Sequence, residues 1–298
     1  LQNDPGNEGY FFVADLHAMT TIKNGAELRE NSFRVTADYI ALGLDPERSV
    51  LYRQSDIPAV AELAWMLSTV TPMGLLQRGH SYKDKVSRGI TPNHGLFAYP
   101  VLMAADILIV RADKVPVGKD QKQHLEMTRD IAAAFNQTYG EDILKVPEEL
   151  ILPEVAVVPG IDGQKMSKSY GNTLEIFAPE AELRKRVMSI VTDSTPVSGP
   201  KPTRGNALYA LLKLFTPAEK WPGTRRLFTE GGTGYGEMKK RLLGLLLETF
   251  REARARREQL ERDRAYVEEA LRKGRERAGN VIDRVMADCR RACGLGRV

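Results

Sequence analysis

Apolar and polar positions follow two periods along the first part of the chain and a single one in the rest. Tyr10-Phe11-Phe12-Val13-Ala14 is a short apolar run behind the turn residues Asp4-Pro5-Gly6-Asn7. It reads as a strand closing on Asp15-Leu16-His17. Residues 26–42 read as a helix with Leu28, Val35, Tyr39 and Leu42 on or near one face and Gly43 as its stop. Ser49-Val50-Leu51-Tyr52 is a second strand, after which Ser55 or Asp56 is expected to cap a helix with Pro58 near its first turn. Strand, helix, strand, helix is the alternation of a parallel sheet with crossover helices.

The same reading continues with an apolar helix over 95–109 and a strand at Val115-Pro116-Val117-Gly118. Asp120 is placed to cap a helix over 121–135, with Leu125, Thr128, Ala132 and Phe135 turned inward. Val155-Ala156-Val157-Val158 reads as a short buried strand ended by Pro159-Gly160. From about Glu180 the pattern is helical, with helices over 180–190, 206–215, 236–260 and 265–293. A Pro/Gly/Ser-rich connection at 194–203 and the glycines of 231–234 interrupt it. The change of period sets an expected boundary: an α/β domain over 1–179 and an all-helical domain over 180–298.

Composition narrows the function classes. With 42% hydrophobic and 28% charged residues the chain suits a water-exposed globular protein. A net charge of +4 is compatible with nucleic acid without requiring it. The lysines and arginines of 239–257 are interspersed with acids, as on a solvated helix face. Cys289 and Cys293, four apart on a helix, are the two cysteines of the chain, so a disulfide framework is excluded. They read as ordinary thiols, and no resident metal is expected. No run is long and apolar enough to span a membrane, so no membrane partner is expected and the chain is placed in the cytoplasm.

Three stretches carry candidate chemistry. In Lys165-Met166-Ser167-Lys168-Ser169 two lysines lie three apart among small hydroxyl residues, bracketed by Gly160, Gly163 and Gly171. A movable, doubly cationic loop leaving a strand end suits a polyphosphate; a solvated basic loop is the plainer alternative. Tyr99, Met103 and Asp106 share one helix face at i, i+4, i+7. An acid on a face set for burial is able to accept a ligand N–H while Tyr99 and Met103 hold a flat apolar ring; a salt-bridged acid at a helix edge reads equally well. In Gly118-Lys119-Asp120-Gln121, a strand ends in glycine where a helix begins, presenting backbone N–H groups and a carboxylate at a strand end. Asp120 is alternatively a simple cap.

Asp15-Leu16-His17-Ala18, the run YPVLMAADIL at 99–108, VPVGKDQKQHLEMTRDIAAAFN at 115–136 and KMSKSYGN at 165–172 resemble the bacterial tryptophanyl-tRNA synthetases, a family of class I aminoacyl-tRNA synthetases. The resemblance covers essentially the whole chain, with the motifs in order. It implies a Rossmann-like parallel-sheet nucleotide-binding core followed by an all-helical, anticodon-binding domain. By the same resemblance Asp106 receives the indole N–H, and Tyr99, Met103, His17, Val115 and Gln121 shape or polarise the tryptophan pocket. Gly118, Lys119, Asp120 and the strand end at Val157 line the ATP site, together with the Lys165-Met166-Ser167-Lys168-Ser169 loop. Lys165, Lys168 and Lys85, from the basic patch Tyr82-Lys83-Asp84-Lys85, hold the triphosphate as the catalytic cations.

The activity implied is ATP-dependent formation of tryptophanyl-adenylate and transfer to tRNA(Trp), with Mg²⁺ carried on the ATP phosphates and a homodimer as the assembly. The family's other signature, a HIGH-like turn with the first strand of the nucleotide fold, belongs upstream of Leu1, so a longer polypeptide carrying it is expected. A tyrosine-specific relative is disfavoured by Met103, because a pocket reading a phenol is expected to offer a polar partner there. A paralogue that keeps the fold for a partner-binding or regulatory role is the remaining alternative.

Overall fold

The structure, a computed structural model, describes residues 1–78, 93–118, 121–151 and 158–296. It begins with β1 (Tyr10–Val13), the short helix α1 (Asp15–Ala18) and α2 (Gly25–Ala41). Asn24 caps α2, its side chain accepting from the N–H groups of Ala26 and Glu27. Gly43 ends the helix at φ 103°, in the region that penalises a Cβ. β2 (Val50–Arg53) returns parallel to β1, with Tyr10 opposite Val50 and Phe12 opposite Tyr52. A 3₁₀ turn, Gln54–Asp56, then leads into α3 (Ala59–Ser68).

Two local expectations are corrected here. The buried face of α2 is Phe33, Thr36, Ala37 and Ile40, whereas Val35, Tyr39 and Leu42 are exposed. The helical period is as expected but the stripe is not. The hydroxyls on the buried face are satisfied within the helix: Ser32 donates to the Leu28 carbonyl and Thr36 to that of Ser32, each at 2.8 Å. The expected cap on α3 is also absent. The helix starts from Pro58 without a side-chain cap bond. Ser55 gives its N–H and hydroxyl to Asp15 instead, and Asp56 accepts from Arg53 at 3.1 Å.

After α4 (Met73–Gln77), α5 (His94–Leu108) carries the apolar run, capped by Asn93, which accepts the Leu96 N–H at 2.8 Å. β3 (Lys114–Val117) and β4 (Glu148–Ile151) pair in parallel around the crossover helix α6 (Lys122–Tyr139). Leu125, Thr128, Ala132 and Phe135 are all buried along α6, as their spacing requires. Among the described residues the strands form two parallel pairs, β1 with β2 and β3 with β4. The expected strand at 155–158 lies almost entirely outside the described residues, as does Asp120.

By packing, the chain divides into two compact units, Glu154–Gln259 and the remainder, Leu1–Pro153 with Leu260–Val298. The 154–259 unit holds α7 (Glu180–Met188), α8 (Ala207–Phe215), α9 (Trp221–Thr229) and α10 (Tyr235–Thr249), with α11 (Arg251–Arg262) ending beyond it. Leu183, Val187, Leu208, Leu211, Phe228 and Leu242 fill its core. The single helix expected over 236–260 is therefore two.

The last helix, α12 (Arg264–Ala292), belongs to the other unit. There Ile282 and Val285 join Tyr52, Leu63, Leu108 and Phe135 in one core. The packing division thus differs from the boundary expected at 179, because α12 docks on β2. Arg277 donates to the carbonyls of Pro46, Glu47 and Ser49 at 3.0, 3.2 and 3.1 Å, and Arg290 pairs with Glu62 at 2.5 Å. Helical periodicity is the same whichever unit a helix joins, so composition does not reveal this docking.

Gly274 makes the docking possible. A Cβ there would lie 1.8 Å from the Leu51 carbonyl oxygen, whereas one at Gly279, on the same helix, would meet nothing within 4 Å. Gly274→Ala is expected to push the helix off the strand, at a cost of roughly 3 kcal/mol. That lowers the melting temperature by about 5–10 °C. Gly279→Ala is expected to stabilise slightly by its helix propensity. Calorimetry on the two variants compares them directly, and a Gly274→Ala melting temperature at or above the parent's contradicts the contact.

Candidate active site

The carboxyl of Asp106 lies at the centre of the first candidate site, on α5 and only 3% exposed. Tyr99 and Met103, which share its face, are half-buried. Both carboxyl oxygens lie within hydrogen-bond distance of Gln54 Nε2, at 2.9 and 2.8 Å. Gln54 is wholly buried, the first residue beyond β2. Its Oε1 accepts the His17 N–H at 3.1 Å, and its amide nitrogen lies 3.1 Å from His17 Nδ1. His17 Nδ1 is in turn 3.7 Å from Asp106. The His17 ring meets Tyr99 edge-on at 5.9 Å, and the Tyr99 hydroxyl is 2.7 Å from His124 Nε2.

The end of strand β2 thus brings α1, α5 and α6 together around one carboxyl, as strand ends do in parallel α/β sheets. Burial pushes Asp106 up to about 8; the Gln54 donors oppose that rise and the neighbouring Asp15 adds to it. Burial also raises the Tyr52 phenol, and Asp106 adds to the effect. A buried carboxyl beside aromatic and thioether surface has the chemistry to accept an N–H from a flat ligand.

Met103 and Val115 join the buried Ile107, Val117 and Leu125 in a small apolar cluster alongside. Gly118 is exposed at the end of β3, and its carbonyl accepts the Gln121 N–H at 3.0 Å. Gln121 itself is exposed at the start of α6. The structure therefore gathers His17, Tyr99 and Asp106, and sets Met103 with Val115. Lys85, Lys119, Asp120 and Val157 lie outside the described residues.

Sequence reasoning singled out neither Gln54 nor His124. The available signal was position: Gln54 directly follows an apolar strand, at the end where ligands bind in such sheets.

The second candidate, the lysine loop, belongs to the 154–259 unit. Pro159 and Lys165 form an antiparallel bridge, the Met166 N–H reaches the Val158 carbonyl at 2.9 Å, and Lys168–Tyr170 is a 3₁₀ turn. Asn172, only 2% exposed, braces the segment. Its Oδ1 accepts the Ser167 N–H at 2.7 Å, and its Nδ2 donates to Asp162 at 2.8 Å and to the Lys165 carbonyl at 3.1 Å. Gly160 packs so tightly against this amide that a Cβ would fall 2.3 Å from Asn172 Nδ2. Gly171 turns the chain at φ 63°. Met166 is turned in against the unit's core, while Lys165 and Lys168 are exposed. A braced backbone thus presents two ammonium groups to solvent.

The family of tRNA synthetases class I (W and Y) matches residues 1–206. The tryptophan–tRNA ligase of Fusobacterium nucleatum is 49% identical over 288 residues, 97% of this chain and 88% of that protein. That of Rhodopirellula baltica is 48% identical over 295 residues, 99% of this chain and 91% of the relative. The crystal structure of the Campylobacter jejuni tryptophanyl-tRNA synthetase complexed with ADP and tryptophan has a TM-score of 0.90 at 45% identity, covering 95% of this chain and 89% of that one. The family match over residues 1–206, with a parallel α/β core of the Rossmann-like kind and a helical remainder, places the chain among the class I aminoacyl-tRNA synthetases. The chain belongs to the tryptophan–tRNA ligase family.

Proposed function

We propose that the chain activates L-tryptophan with ATP and transfers it to tRNA(Trp). The observation that carries this is the buried Asp106 carboxyl at a strand end, in a chain nearly half identical to tryptophan–tRNA ligases along its length. The tryptophan carboxylate attacks the α-phosphorus of ATP, and pyrophosphate leaves with Mg²⁺ carried on the phosphates. A ribose hydroxyl of the tRNA 3′ end then attacks the adenylate carbonyl, and AMP leaves. Neither step needs a covalent enzyme intermediate; positioning and charge neutralisation supply the catalysis.

Asp106 accepts the indole N–H, with Tyr99, Met103, His17, Val115 and Gln121 around the ring and the amino-acid end. Gly118, Lys119, Asp120 and Val157 line the nucleotide. Lys165, Lys168 and Lys85 neutralise the phosphates, with Met166, Ser167 and Ser169 completing the loop. The helical segment from 180 onward reads the anticodon, where Lys240, Arg241 and Arg256 are exposed cations suited to phosphate. Among the described residues no helix is long and apolar enough to cross a membrane, and the reaction is assigned to the cytoplasm, where tRNA is charged. Charging of a tRNA(Trp) transcript with labelled tryptophan tests the whole sequence of steps; accumulation of adenylate without charged tRNA contradicts the second.

A homodimer completes the proposal. Trp65 on α3 is 73% exposed and Met73 on α4 is 63% exposed, large apolar side chains left in water on the same unit. Trp65→Glu is expected to weaken dimerisation by roughly thirtyfold or more, the loss typical of a central aromatic anchor. Sedimentation velocity across a dilution series reads this, and an unchanged dimer places the contact elsewhere.

A further inference from the structure

Gln54 is a wholly buried primary amide with its donors and its acceptor both engaged. A buried amide costs stability unless its hydrogen bonds are made, and here they are. Its carbonyl holds the His17 backbone, and its nitrogen reaches both Asp106 oxygens and His17 Nδ1. One side chain from the end of β2 therefore ties α1 to α5 at the carboxyl itself.

We propose that Gln54 is a positioning residue for amino-acid selection: it fixes the Asp106 carboxyl against His17 and links capture of the indole N–H to departure of a proton from Asp106 to solvent. The inference rests on Asp106 being the indole acceptor.

A carboxyl accepts an N–H most strongly as the anion. The groups facing Asp106 are Gln54 and Tyr52 from β2 and its end, and His17 and Asp15 from α1. Tyr99 comes from its own helix, backed by His124 of α6. Asp15 opposes ionisation, and so does burial, which holds the proton on Asp106 to about 8 in the empty site. The amide donors of Gln54 favour the anion. At neutral pH an incoming indole therefore meets a protonated acid, and binding expels its proton.

Calorimetric titration of the full chain with tryptophan, in two buffers of different ionisation enthalpy, counts that proton. The expected result is release of a large fraction of one proton near neutrality, with Kd falling as pH rises from about 6.5 to 8.5. Gln54→Met removes the donors at similar volume. It is expected to raise Kd about ten- to a hundredfold at neutral pH and to shift the pH dependence upward by roughly one unit. The loss should appear in the tryptophan KM far more than in kcat. Asp106→Asn is expected to abolish the pH dependence.

Absence of proton release by the unaltered chain overturns the inference, whether or not the Met variant folds. A Gln54→Met variant that weakens tryptophan equally at every pH, beside an Asp106→Asn variant that behaves as expected, also overturns it and leaves Gln54 a structural amide. An Asp106→Asn variant with unaltered affinity and pH dependence overturns the reading of Asp106 as well.

Discussion

Replacing Lys165 or Lys168 with alanine is expected to slow formation of tryptophanyl-adenylate by about a hundred- to a thousandfold, the loss typical of removing one preorganised charge from a partly desolvated site. Both ammonium groups are exposed, on a backbone that Asn172 and Gly160 hold in one shape. In the proposed reaction their partner is charge that builds up on the departing phosphates only as the reaction proceeds. The effect therefore falls on rate, with little change in tryptophan affinity. The double variant departs from the product of the single losses, because both cations act on one charge. Transfer from preformed adenylate to tRNA suffers much less, since pyrophosphate has already left. Single-turnover kinetics separates the steps: equal slowing of both, or weaker tryptophan binding alone, removes the loop from catalysis.

Asp106→Ala is expected to raise the tryptophan requirement by about one to three orders of magnitude, the range for losing a charge-assisted hydrogen bond in a buried site. It also strands the Gln54 amide, so Asp106→Asn is the cleaner companion. The same carboxyl makes stability depend on pH. Its folded value of about 8 lies above the ordinary 3.8, so between those values the folded state holds a proton that the unfolded chain has released. The contribution of this carboxyl to stability is then greatest below about pH 4, declines as pH rises toward about 8, and is level beyond it. Asp106→Asn removes that decline. Urea unfolding of both proteins at about pH 5 and pH 8.5 checks the sign; an identical pH response in the two contradicts a raised Asp106.

Strands β1, β2 and β3 were legible in the sequence because short apolar runs end at turn residues, and α6 because its inward residues keep a strict helical spacing. Asp106 stood out in the sequence as an acid on an apolar face, though a salt-bridged acid at a helix edge read equally well; the structure buries it. Gln54 did not stand out, since a glutamine after a strand looks the same whether it points to water or to a buried acid. The α2 stripe was misjudged for a related reason: Val35 and Tyr39 mark one apolar face, yet the face that is buried carries Phe33, Thr36, Ala37 and Ile40. Gly274 and the docking of α12 depend on a contact between residues 51 and 274, which no local pattern encodes. The KMSKS lysines were read from their string, while Asn172, which braces their backbone, showed only once the loop was folded.

The most direct measurement is ATP–pyrophosphate exchange with each amino acid in turn. Rapid exchange with tryptophan is expected. With phenylalanine, which lacks the N–H that Asp106 is placed to accept, exchange should be slower by roughly ten-thousandfold. Tyrosine should be rejected as well. Exchange driven best by tyrosine, or no exchange with any amino acid, contradicts the proposed function.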